Sequence, residues 1–307
     1  MPIQSVSGGN IMLDKMLILF MTIVTFISSV TGLGGYHTDY KVYTDIRYSD
    51  SCVRDVLDLY IPDAAFDREE NGFILNIHGG SWSGGDKENK AYDCIQAASR
   101  GYIAATMSFT LNSGDMAENY SIDTTMDEIT LAIAKVKEFC AEMGINVTKV
   151  ALSGYSSGAH QAMLYAYSRA DESPVEIAFT ANKVGPCDFT EEAWGTGGPG
   201  IARMLAGKEI VEQFTAEGRE DEIISYVSPV AYMTKDSVPS LFAYGGLDFI
   251  VPSGNMKSML RKAEEAGCEY DFVFFPLNGH GLKVNYITPA YFKYTKLYFE
   301  YCEKYFG

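Results

Sequence analysis

Ser156 stands between glycines in G-Y-S-S-G, residues 154–158, with the apolar stretch K-V-A-L before it and the helix-compatible A-H-Q-A-M-L-Y-A-Y after it. A strand, a sharp turn and a helix in that order make a nucleophile elbow, because glycines permit a tight turn that leaves the serine hydroxyl exposed at the strand's end. A serine hydroxyl is a poor nucleophile at neutral pH. It needs a histidine to take its proton and a carboxylate to hold that histidine in the right tautomer. The chain offers four histidines, His37, His78, His160 and His280. His160 is four residues past Ser156 on the same helix, too close to swing back onto it, and reads as a structural residue under the elbow. His78 ends a strand just ahead of glycines, and His37 precedes the sheet. His280, in L-N-G-H-G-L after the last strand, lies where a serine, acid, histidine chain order requires the base. Asp248 in Y-G-G-L-D-F-I-V-P is the favoured acid, with Asp188 as the alternative. An aspartate beside two glycines also suits an ordinary turn.

The anion created by attack of such a serine needs backbone N–H groups aimed at it. Ser157, next after the nucleophile, supplies one, and H-G-G-S-W at residues 78–82 supplies those of Gly80 and Ser81. Trp82 and Tyr155 flank these positions and read as walls of a substrate pocket, a role that large aromatics share with plain core packing.

The elements that would position these residues follow from periodicity. Residues 40–48 and 53–61 read as two strands of an antiparallel hairpin at a sheet edge, ended by Pro62. Residues 72–77, 102–109, 149–152, 177–184, 240–244 and 270–275 read as further strands. Helices are expected over 91–100, 126–143, the stretch after Ser156, 253–266 and 289–305. Such alternation implies an α/β class, a mostly parallel sheet covered on both faces. Residues 191–228 interrupt it with W-G-T-G-G-P-G and E-G-R-E-D-E, and read as a small lid-like insertion of short helices above the sheet.

H-G-G-S-W-S-G-G-D-K, G-Y-S-S-G-A-H, the G-x-x-D-x-x-V-P stretch ending at Pro252 and the N-G-H-G loop together resemble the α/β-hydrolase fold carboxylesterases. The branch resembled is that of hormone-sensitive-lipase-like and feruloyl or acetyl xylan esterase-like enzymes, and the likeness runs over about residues 38–306. It implies ester hydrolysis through an acyl-enzyme on Ser156, with His280 as base and then acid, Asp248 as its orienter, and no metal or other cofactor. Short-chain or aromatic acyl esters, carbohydrate esters among them, are the expected substrates. A serine peptidase or amidase on the same fold and a non-catalytic binding homologue are the competing expectations. Ser81 stands where the lipase-type H-G-G-G has its third glycine, and Ser157 replaces the alanine often found after the nucleophile; both still carry an N–H.

The remaining composition narrows the partners. With 24 Lys and Arg against 40 Asp and Glu, the net charge of −16 argues against nucleic acid or an anionic membrane surface. The six cysteines are widely spaced, with no C-x-x-C pair to suggest zinc, and their even number permits disulfides in an exported protein. Residues 16–30 form an apolar run after Lys15, short of the roughly 20 residues a membrane span needs and closer to a signal-peptide core. Residues 1–35 are therefore expected to be a leader on a 36–307 catalytic domain. Secretion or a cell-surface location is expected ahead of the cytoplasm, with membrane association only if the leader stays uncleaved.

Overall fold

Phe73, Leu75 and Ile77 alternate along one strand with Ile74, and all four are fully buried. That is the composition of a sheet covered on both sides. The structure is a computed structural model that describes residues 38–282 and 288–307. The expected leader and His37 lie outside the described residues.

Eight strands make one sheet: β1 (Tyr40–Arg47), β2 (Val56–Pro62), β3 (Asn71–Ile77), β4 (Ile103–Met107), β5 (Val147–Tyr155), β6 (Glu176–Lys183), β7 (Ser240–Gly245) and β8 (Tyr270–Phe275). Their order is β1-β2-β4-β3-β5-β6-β7-β8. β1 and β2 pair antiparallel, as do β2 and β4, and every later pairing is parallel. The sheet is thus mostly parallel, with the expected antiparallel hairpin at one edge. The second hairpin strand begins later than residue 53. Asp55 accepts from the Cys52 N–H at 2.7 Å and closes a turn there, which leaves Val53 81% exposed.

The helices are α1 (Ala91–Ala98), α2 (Ile122–Glu142), α3 (Ser157–Ser168), α4 (Glu191–Trp194), α5 (Gly198–Ala216), α6 (Glu222–Val227), α7 (Ser253–Ala266) and α8 (Pro289–Phe306). One buried cluster joins Phe73, Leu75 and Ile77 to Met126, Ile129 and Ile133 of α2 and to Leu164 and Tyr165 of α3. On the opposite face Ile74 joins Ala97 of α1 and Tyr294, Tyr298 and Tyr301 of α8. α2 starts four residues before the expected position, because the Ser121 hydroxyl accepts the Thr124 N–H at 3.2 Å and caps it.

Residues 191–228 hold α4, α5 and α6. Gly207 breaks α5 with φ 79°, at a point where a Cβ would lie 2.7 Å from the Tyr120 carbonyl oxygen. Leu205, Phe214, Ile223 and Val227 of this segment belong to the same buried cluster as α2. Among the described residues no helix is long and apolar enough to cross a membrane, and all six cysteines are free thiols.

Candidate active site

β5 carries the chain to Ser156, whose φ of 53° and ψ of −123° are strained for a residue with a Cβ. The neighbours leave no room for a gentler turn. A Cβ on Gly154 would come within 2.4 Å of the Ala159 backbone, and one on Gly158 within 2.3 Å of the Ile77 carbonyl oxygen. The Ser156 N–H donates to the Lys183 carbonyl at 2.9 Å, tying the elbow to the end of β6.

Three loops at the carboxyl ends of β5, β7 and β8 then meet. His280 Nε2 lies 2.8 Å from Ser156 Oγ, and His280 Nδ1 lies 2.8 Å from Asp248 Oδ2. The other Asp248 oxygen accepts the N–H groups of Ile250 and Val251 at 2.9 and 3.0 Å, so the carboxylate cannot rotate away. Its side chain is only 4% exposed. The Tyr155 hydroxyl donates to the His280 carbonyl at 2.9 Å and fixes the loop that carries the imidazole. With Nδ1–H donating to Asp248, Nε2 is left as the acceptor for the Ser156 hydroxyl proton.

The loop after β3 is braced independently. The Lys87 ammonium meets Asp58, Asp45 and Glu88 at 2.8–3.1 Å. Arg54 donates to the Gly85 carbonyl at 2.8 Å and meets Asp86 at 3.3 Å. Burial pushes His78 down to about 4, so it is neutral, and its Nδ1 sits 2.8 Å from the Gly79 carbonyl while its ring stacks on Phe109. Within this frame Gly80 and Ser81 take φ of 139° and 53°. Among the described residues the N–H groups of Gly80, Ser81 and Ser157 have no hydrogen-bond acceptor. Gly79, one residue earlier, already packs against the nucleophile: a Cβ there would be 3.1 Å from that of Ser156.

His160 lies beneath the elbow. Indole N–H groups only donate, so the 3.1 Å contact with Trp82 Nε1 makes His160 Nδ1 an acceptor, and Nε2–H donates to the Val227 carbonyl at 2.7 Å. Burial pushes its pKa down to about 4. Trp82 is thereby drawn into the core, with its ring against His160 and Phe189. Tyr155 does line a cavity, of about 420 Å³, together with Gly79, Gly281 and Leu282. Asp188 is engaged elsewhere: its oxygens accept from the Ser258 hydroxyl and the Thr190 N–H. Among the described residues no group of three or more His, Cys, Asp or Glu could hold a metal ion.

The BD-FAE family profile matches residues 57–262, a span that includes Ser156 and Asp248 and stops short of His280. The chain belongs to the BD-FAE family. Esterase LipQ of Mycobacterium tuberculosis is 25% identical over 247 residues, which is 76% of this chain and 55% of that protein. The chain thus spans about half the length of the curated relative it matches. Two solved structures share the fold of this BD-FAE chain. A truncated carbohydrate esterase from gut microbiota has a TM-score of 0.67 at 17% identity, covering 88% of this chain and 99% of its own. Esterase B from Lactobacillus rhamnosis has a TM-score of 0.66 at 18% identity, covering 95% and 94%.

Proposed function

We propose that the protein hydrolyses carboxylic esters through an acyl-enzyme on Ser156. His280 takes the hydroxyl proton as the oxygen attacks the ester carbonyl, then passes it to the departing alcohol. Asp248 stabilises the imidazolium formed between these steps. The carbonyl oxygen, carrying the negative charge of the tetrahedral intermediate, is met by the N–H groups of Gly80, Ser81 and Ser157; losing one such donor costs about 10²- to 10³-fold in rate. Water then attacks the acyl group by the same route in reverse. The observation that carries this reading is the unbroken line of hydrogen bonds from Ser156 through His280 to an immobilised Asp248.

Short-chain or aromatic acyl groups and carbohydrate alcohols are the substrate classes of this reading, with no cofactor. The reading also includes export, resting on the apolar run at residues 16–30. Wild-type protein should label with a fluorophosphonate probe and hydrolyse 4-nitrophenyl acetate. Ser156→Ala should abolish labelling and lower kcat by at least about 10⁴-fold. Hydrolysis by Ser156→Ala at the wild-type rate would overturn the mechanism.

A further inference from the structure

The 420 Å³ cavity beside Tyr155 contains a charge arrangement that ester cleavage itself does not need. Lys90 leads into α1, Asp93 lies in its first turn, and Lys183 ends β6. The two ammonium groups share one carboxylate: Lys90 Nζ to Asp93 Oδ2 at 2.7 Å, and Lys183 Nζ to Asp93 Oδ1 at 3.1 Å. An ammonium has three donors, so these two bring six, and among the described residues Asp93 is their only hydrogen-bond acceptor. The Lys183 ammonium also lies 5.2 Å from the Tyr294 ring centre, and the buried Tyr294 hydroxyl has no partner among the described residues. Lys90 and Tyr294 are each 5% exposed.

The electrostatics follow from that count. Burial alone raises the Asp93 carboxyl, but the ammonium groups of Lys183 and Lys90 overcome it and hold it well below the usual carboxylate range. Burial pulls the Lys90 ammonium down, Asp93 pulls it up and Lys183 pulls it down again. Two cations therefore surround one anion in a partly enclosed space, in a protein whose overall charge is −16. A second anion would satisfy the open donors and relieve the repulsion between the lysines. The same cavity adjoins the reacting groups through their chain neighbours, without being lined by Ser156 or His280 themselves. Tyr155 precedes Ser156 and forms one wall, Gly281 follows His280, and the Lys183 carbonyl holds the Ser156 N–H. Its volume falls within the range of small-molecule sites.

We propose that this cavity is a subsite for a carboxylate borne by the ester substrate, bound by Lys90, Lys183 and the Tyr294 hydroxyl. The assignment rests on the esterase reading of Ser156 and narrows its substrate class to esters with an anionic group on the acyl or the alcohol part.

Two matched pairs of esters test it on the full chain. 4-Nitrophenyl hydrogen adipate against 4-nitrophenyl hexanoate places the charge on the acyl side, and 4-acetoxybenzoate against 4-methylphenyl acetate places it on the alcohol side. In at least one pair the wild type should prefer the charged ester, and Lys183→Gln and Lys90→Gln should each lower that preference by about 10- to 100-fold, mainly through KM. Lys183→Arg should restore part of it. No preference for the charged ester, or a preference that survives both substitutions, would overturn the subsite. Calorimetric binding of the adipate ion, lost in Lys183→Gln, reads the site without turnover. A protein that binds adipate but cleaves no ester would keep the subsite and remove the esterase reading. One that cleaves only neutral esters and ignores adipate would do the reverse.

Discussion

Asp248 has both oxygens engaged, one by His280 and one by two backbone N–H groups. Asn at this position would keep the two backbone bonds but present an amide that favours the wrong imidazole tautomer. Asp248→Asn should therefore lower kcat by about 10⁴-fold while shifting the thermal midpoint little. A loss below tenfold would mean that another carboxylate orients His280. Asp188→Asn should instead act on stability, since its carboxylate holds Ser258 and the Thr190 N–H. At this scale the sequence was most informative where chain order constrains the answer. A serine in an elbow, then an acid, then a histidine, each after a strand, leaves few choices. It was least informative for Trp82, because an aromatic after H-G-G-S can face a pocket or the core. The left-handed φ of 59° and the bond to His160 turn this one inward. Nothing local brings Lys90, Asp93 and Lys183 together either, since the second lysine arrives at the end of β6, 90 residues after Asp93.

Element contacts add a titratable group that patterning conceals. Glu128 sits among the core-facing residues of α2, a place periodicity would give to an apolar side chain. Its oxygens accept the Thr110 N–H at 3.0 and 3.1 Å, and the Thr110 hydroxyl also donates to it. Burial pushes its pKa up to about 8, with Asp55 beside it adding to the rise. The folded protein thus holds a proton that the unfolded chain releases near pH 4.5, so this stabilisation is complete at low pH and is lost as pH rises through 8. His78 and His160 act oppositely. Folded near 4 and unfolded near 6.5, they leave stability intact above pH 6.5 and remove it as pH falls towards 4. Two histidines outweigh one glutamate on the acid side, so stability should peak near pH 6.5. From there to about 8 it should fall by at most about 1.4 kcal/mol per pH unit. Urea midpoints between pH 5 and 8 check this, and Glu128→Gln should remove the decline between 6.5 and 8; a rise from 6.5 to 8 in the wild type would refute it. The strands themselves were legible from continuous apolar runs. The Ser121 cap and the Asp55 turn, which move two boundaries, depend on which side chain reaches which amide.

Across the whole molecule, the residues of the candidate site come from the ends of β3, β5, β7 and β8, and the sheet must bring these strands together, with β6 between β5 and β7, before Ser156 meets His280 and Asp248. β3 and β5 pair Ile77 with Gly154. Parallel contacts of such separation are slow to form, since loop-closure entropy is spent before they reward it. The two tryptophans report something smaller. Trp82 and Trp194 both lie against Phe189, at ring separations of 6.1 and 5.2 Å, so their fluorescence senses one corner. After dilution from urea, recovery of 4-nitrophenyl acetate hydrolysis should therefore lag recovery of tryptophan fluorescence. Coincident single-exponential traces would mean that corner and sheet form together. Because Ser156, His280 and Asp248 are carried by the ends of separate strands, turnover by the proposed mechanism serves as a clock for the last register to close.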